Sequence, residues 1–286
     1  MRIAVVADSS AYLPAGFAER FSVRVVPLHV SVHGRASAPE DEFDSSRLAA
    51  AWELKQRVTT SGATAQELAK TYREALESGA DGVVSVHLSR RLSGTWEAAR
   101  LAADEVGSDL VRVVDSRSAA MGLGFAALGA AELAATGAGL SAVESRAALI
   151  AQRTETLFSV QTLEHLRRGG RMGTAAALLG TALAIKPLLH VHEGRVEALE
   201  KVRTTARAHA RLLELAVASV GSGPAAVAIH HLAAPEAAQR LAEQLRERVS
   251  EQVECVVSEI GPVVGAHLGP GVLGVVLLPG GWRSPS

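Results

Sequence analysis

Short runs rich in Val and Ile alternate with helix-periodic segments along almost all of this 286-residue chain, and that alternation leaves few folds open. Strand-like runs fall at residues 3–7, 23–32, 82–87, 110–115, 157–160, 188–192, 225–230 and 253–260. Helical patterns occupy 46–54, 66–78, 96–105, 123–135, 142–153, 206–219 and 236–249. Strand, helix and strand in succession form βαβ units, so the expected class is α/β with parallel sheet. Thr64-x-x-Glu67 and Ser141-x-x-Glu144 have capping-box spacing and predict two helix starts. Residues 190–201 read differently, as strand, Glu193-Gly194 turn and strand, a hairpin that implies a mixed sheet in the second half. An Ala-rich helical stretch ends near residue 153. Two domains are therefore expected: 1–153, a mostly parallel sheet with flanking helices, and 154–286, a mixed sheet with helices.

Charge and composition narrow the function. With 29 basic and 30 acidic residues the chain has no positive excess to release counterions, which argues against nucleic acid as a partner. Aromatic residues make up only 3%, too few for base-stacking platforms. The single cysteine, Cys255, excludes an internal disulfide and a Cys-based zinc site, and its apolar neighbours mark it as an inert thiol. No run reaches the ~18 unbroken apolar residues that a membrane span needs. The opening Met1-Arg2-Ile3-Ala4-Val5-Val6-Ala7-Asp8 meets an acid too early for a secretory signal, so a soluble, cytoplasmic protein is expected.

In parallel α/β sheets, ligands bind beyond the carboxyl ends of the strands. Three segments there carry hydroxyls: Asp8-Ser9-Ser10, Thr59-Thr60-Ser61-Gly62-Ala63-Thr64, and Ser89-Arg90-Arg91-Leu92-Ser93-Gly94-Thr95. Each alone is equally a helix cap. Gly94 beside Ser93 lets a ligand approach the backbone, and the helix start offers N–H donors to an anion. A fourth segment, residues 260–271, holds four glycines, two prolines and His267 between apolar runs. That much Gly and Pro predicts a shaped turn rather than a helix or strand, with the histidine held against an apolar wall. Basic residues gather at Arg167-Arg168-Gly169-Gly170-Arg171 and Lys201-Val202-Arg203, where they can meet phosphate or an acidic surface or simply be solvated.

Several chemistries lack their residues. There is no Gly-x-Ser-x-Gly elbow, no acid partner set for Ser93 and no Walker A loop. Gly122-x-Gly124-x-x-Ala127 fits a dinucleotide fingerprint only formally, because its strand ends at Asp115, and it reads as packing glycines. The pairs His190/His192 and His230-His231 have no accompanying carboxylate motif, so no metal is expected. A stand-alone enzyme, either a hydrolase using Ser93 or a small-molecule kinase, is the alternative to a binding protein.

Taken in order, Asp8-Ser9-Ser10, Thr60-Ser61, Leu92-Ser93-Gly94-Thr95, Asp115-Ser116, Leu166-Arg167-Arg168-Gly169-Gly170-Arg171, Ile185-Lys186-Pro187-Leu188, Lys201-Val202-Arg203-Thr204 and the Gly265-Ala266-His267-Leu268-Gly269-Pro270-Gly271 segment resemble the DegV family, the fatty-acid-binding subunits of bacterial fatty acid kinase. The resemblance covers nearly the whole chain. It implies a two-domain α/β fold with a long-chain fatty acid in a tunnel between the domains. It also implies that the carboxylate is held by Thr60, Ser61, Ser93, Gly94, Thr95 and His267. A separate ATP-dependent kinase subunit would phosphorylate that carboxylate, with Arg171 and Arg203 at the partner contact and peripheral membrane contact for lipid exchange. The chain itself would be a lipid-binding carrier in phospholipid metabolism, with no cofactor and no catalytic residue of its own. Two segments depart from the family: Gly62-Ala63-Thr64 stands where Gln-Pro-Ser is usual, and Tyr12 where Asp is usual.

The energetics of such a ligand are reasonable. At roughly 0.8 kcal/mol per buried CH2, a tail of about sixteen carbons contributes about 10 kcal/mol before ordering costs. The tail would set affinity and the head group orientation, and a protonated His267 would strengthen the pairing with the carboxylate.

Overall fold

The first strand, β1 (Ile3–Asp8), is buried at every position but one, the pattern of a strand covered on both faces. The computed structural model describes residues 1–33, 37–178 and 185–283. After β1 come α1 (Phe17–Arg20), β2 (Val23–Val26), β3 (His29–Val32), β4 (Ala38–Pro39), α2 (Ser45–Glu53) and β5 (Val58–Ser61). Next are α3 (Ala65–Glu77), β6 (Gly82–His87), α4 (Thr95–Val106), β7 (Val111–Asp115), α5 (Met121–Ala135) and α6 (Leu140–Arg153). The chain continues through β8 (Glu155–Ser159), α7 (Glu164–Gly169), β9 (Lys186–His192), β10 (Arg195–Val202) and α8 (Thr205–Val220). It ends with β11 (Ala225–His231), α9 (Pro235–Arg246), β12 (Val253–Glu259), α10 (Pro262–Leu268) and β13 (Leu273–Pro279).

These elements divide into two units, but not at one boundary. The first comprises residues 1–28, 61–154 and 282–286; the second comprises 29–60 and 155–281. The chain passes from one unit to the other after Leu28, Thr60, Thr154 and Gly281. The first passage has a local cause. Pro27 lacks the N–H that a continuing ladder needs, so the run 23–32 splits into β2 and β3. Each half then joins a different sheet.

In the first unit β2, β1, β6 and β7 form a parallel sheet in that order. Helix α5 is buried continuously from Met121 to Ala131. Its glycines are packing notches. A Cβ on Gly124 would lie 3.2 Å from the Ala11 carbonyl, and one on Gly129 would lie 2.1 Å from Ile150 of α6. The formal dinucleotide fingerprint therefore lies inside a core helix. Trp282 closes this unit, 2% exposed, with its ring 5.0 Å from that of Phe21.

The second unit has a six-stranded mixed sheet, β10-β9-β8-β13-β11-β12, in which only β11 and β12 pair in parallel. The predicted hairpin is β9–β10, and Glu193 and Gly194 both take positive φ (47° and 79°), as a type I′ turn requires. Leu188, Leu212, Val227, Ile229, Leu241 and Val275 belong to its core. A small sheet, β4-β3-β5, belongs with the 29–60 excursion.

Two local expectations are corrected as well. The capping box at Thr64 forms, with Thr64 Oγ1 accepting from Glu67 N and Glu67 accepting from Thr64 N. The one at Ser141 does not, because α6 starts two residues earlier, where Leu140 packs on Gly82 of β6. Residues 260–271 contain a true helix, α10, rather than a turn alone. Pro262 sits in its first turn, where a missing N–H costs nothing, and Gly269 at φ 80° ends it. No helix among the described residues is long and apolar enough to cross a membrane.

Candidate ligand site

The first unit builds its hydroxyl cluster on a buried polar chain. Asp8, at the end of β1, is fully buried and accepts from Ser10 N (3.1 Å), Ser10 Oγ (2.5 Å) and Leu88 N (2.9 Å). It also accepts from His87 Nδ1 at 3.1 Å. His87 Nε2 bonds Ser85 Oγ (2.7 Å), which accepts from the Tyr72 hydroxyl (2.9 Å). Burial pushes the Tyr72 hydroxyl pKa well up, so it stays protonated as a donor. Asp8, His87 and Ser85 have the connectivity of a hydrolytic triad, yet all three are 0% exposed and Ser85 already carries Tyr72. No substrate reaches a serine so placed, and the chain is a structural network.

That network ties the end of β1 to the loop that leaves β6. Leu88 is fixed by Asp8, Ser89 N donates to Ser118 O, and Ser93 N donates to Ser89 O. Ser93 Oγ then bonds Thr95 Oγ1 at 2.9 Å and accepts from Thr95 N at 3.3 Å. Thr95 opens α4 and is fully buried; Ser93 is half-buried. Gly94 is exposed, and a Cβ there would point into open space. Gly62 matters more. A Cβ on it would lie 2.5 Å from Thr95 Oγ1 and 3.3 Å from Ser93 Oγ. The exposed Ser61 therefore leads directly into a backbone laid on the two hydroxyls.

The second unit places Thr60 and His267 together. Thr60 is on β5, and its Oγ1 lies 2.8 Å from His267 Nε2 on α10. His267 Nδ1 is buried and has no hydrogen-bond partner among the described residues. Burial, assisted by the Arg171 charge, lowers the His267 pKa to about 4. The imidazole is thus neutral at neutral pH. Its seat is a glycine: a Cβ on Gly169 would fall 2.0 Å from His267 Nδ1. The contact is reciprocated, since a Cβ on Gly269 would lie 2.4 Å from His165 Cδ2.

Both glycines of Arg168-Gly169-Gly170-Arg171 are now explained. Gly169 receives the imidazole. Gly170, at φ 71°, ends α7 in a Schellman motif, with Arg171 N donating to Leu166 O. A cavity of about 670 Å³ opens here, lined by Lys55, Arg57, Arg168 and Arg171 together with Thr60 and His267. Glu164 pairs with Arg167 and Arg168, and hydrogen bonding from Arg167 holds its carboxyl at about 2. Arg171 instead donates to the Gly169 carbonyl (2.6 Å). Arg203 is exposed at the end of β10, beside the cap of α8, where Thr204 Oγ1 accepts from Arg207 N. It is not among the residues that line the cavity.

The buried acid–imidazole chain went unread in the sequence, although the signal existed in His87 closing a strand beside Asp8-Ser9-Ser10. Glu40, which reaches α10, was missed too; nothing local marks it. Cys255 is partly buried and burial pushes its thiol up, as an inert sulfhydryl requires. Among the described residues no cluster of His, Cys, Asp and Glu is arranged to hold a metal.

Comparison with known proteins places the whole chain. The family model described as "Uncharacterised protein, DegV family" matches residues 2–280. A DegV domain-containing protein of Streptomyces coelicolor is 50% identical over 275 residues, spanning 96% of this chain and 98% of that protein. Among solved structures, a Thermus thermophilus DegV family protein described in terms of fatty acid binding superposes with a TM-score of 0.90 at 37% identity, over 98% of this chain and 100% of that one. DegV of Bacillus subtilis, described as a fatty acid binding protein, gives a TM-score of 0.86 at 32% identity, over 97% and 99%. With the fold, the ordered motifs and these full-length matches in agreement, the chain is a member of the DegV family.

Proposed function

We propose that this protein binds a long-chain fatty acid and presents its carboxylate to a separate ATP-dependent kinase, which forms the acyl phosphate. The carrying observation is the full-length match, at 37% identity, to a DegV protein described as fatty acid binding. In this reading Ser93 and Thr95, with the Ser61 and Gly94 backbone, donate to the acid, and Thr60 and His267 complete the set. Hydroxyls and a neutral imidazole bind a carboxylate without discharging it, so an oxygen keeps the electron pair that attacks a phosphoryl group. A full positive charge on His267 would bind more strongly but quench that nucleophile. Arg171 and Arg203 are assigned to the partner contact, where guanidinium forks suit an acidic surface or a phosphate.

Native mass spectrometry of the purified protein should reveal a co-purified acyl chain, and delipidated protein should rebind palmitate or oleate. Thr60→Val combined with Ser93→Ala is expected to weaken binding by about 1–3 kcal/mol, from lost donors to a charged group. A delipidated protein indifferent to every fatty acid offered would overturn the reading.

A further inference from the structure

Helix α10 has little reason to form alone. It is seven residues long, starts at Pro262 and contains Gly265, and isolated helices that short are not stable in water. Its N-cap residue is Gly261, which has no side chain to offer. The cap comes from far away. Glu40, only 6% exposed on a short 3-10 turn of the 29–60 excursion, accepts from Val263 N at 2.8 Å across 223 positions of sequence. A carboxylate there satisfies an N-terminal donor and complements the helix dipole. The same excursion touches α10 twice more. Leu48 of α2 lies against Gly265, where a Cβ would come within 3.1 Å, and Thr60 bonds His267 at the other end.

We infer that Glu40 is a positioning residue: by capping α10 from the 29–60 excursion it fixes where His267 stands relative to Thr60 and Gly169. A carboxylate is seldom buried without a task, since desolvation is costly unless hydrogen bonds offset it. Its task here is mechanical. One segment supplies both the clamp on the helix that bears the imidazole and the hydroxyl that the imidazole meets. The geometry needs no ligand to stand, and only its consequence for fatty acid binding rests on the proposed function.

The test compares Glu40→Gln, which keeps an acceptor for Val263 N–H, with Glu40→Ala, which removes it. Nitrogen NMR of the His267 ring in ligand-free protein reports its environment, in which Arg171 is the facing charge and His165 and Arg168 line the same cavity. In the wild type and Glu40→Gln the ring should titrate near pH 4. In Glu40→Ala the midpoint should rise toward the free-imidazole value and palmitate affinity should fall about tenfold, with the glutamine variant within about threefold of wild type. Should Glu40→Ala not fold, Glu40→Asp, whose carboxylate is one methylene short of Val263, takes its place. An unmoved His267 midpoint in the alanine or aspartate variant overturns the inference, as does a glutamine variant that behaves like alanine. A wild type that binds no palmitate sinks the proposed function instead, and the NMR result still decides the role of Glu40.

Discussion

The Asp8 corner of the first unit and the His267 corner of the second each bury an imidazole, and they treat it in opposite ways. His87 has partners on both ring nitrogens, Asp8 and Ser85, and the acid it meets accepts three further hydrogen bonds. His267 has Thr60 on one nitrogen and, among the described residues, nothing on the other, and the Arg171 charge lowers its pKa beyond the effect of burial. An unsatisfied buried polar atom costs about 1–3 kcal/mol. The first arrangement serves rigidity. The second gives up stability and keeps a neutral ring beside a hydroxyl, as the proposed acid-binding role requires.

The sharpest way to break this contrast is to remove the acid that holds the first corner together. Asp8→Ala strands His87 and three other donors in the core, and should cost about 3–5 kcal/mol by urea unfolding. A loss below about 1 kcal/mol would mean the network is ornamental. Gly169→Ala attacks the second corner by placing a Cβ 2.0 Å from His267 Nδ1. Overpacking of this kind should cost about 2–3 kcal/mol and displace the ring, visible both in thermal unfolding and in weakened palmitate binding.

Acid should then probe the second corner. His267 and His230 are both held at about 4, chiefly by burial. Above about pH 6.5 neither folded nor unfolded chain protonates them, and stability is at its full value. Between there and pH 4 the unfolded chain takes up protons that the fold refuses, so stability falls as pH drops, by up to about 3 kcal/mol per histidine. A melting curve across this range should flatten in part in His267→Gln; an unchanged slope would discredit the buried, neutral ring. The smallest effect concerns the approach to α5 in the first unit. Ala120 sits at φ 54°, ψ −144°, a conformation that suits glycine, and Ala120→Gly should stabilise by about 0.5–1 kcal/mol.

Much of this was legible in the sequence because it is local. The Val-rich strands, the Thr64 capping box and the Glu193-Gly194 hairpin each declare themselves within a few residues. Thr60, Ser93 and His267 could be singled out because hydroxyls and Gly/Pro clusters stand apart from an Ala- and Leu-rich background. What failed depended on distant neighbours. Leu140 was drawn into α6 by Gly82, and α10 formed under an acid 223 positions away. No window of sequence contains both members of those pairs. Tyr12 takes a positive φ (44°) as the C-cap of the Ser9–Ala11 turn, with its N–H donating to Ser9 O.

The weave of the chain between units has a consequence for how it can be made and cut. Because the peptide passes over after Leu28, Thr60, Thr154 and Gly281, no single cleavage releases a self-contained half. A fragment stopping at residue 154 would carry the 29–60 excursion without the rest of its unit, and would lack the indole that packs against Phe21. The first unit is therefore complete only once residue 282 has been added to the chain.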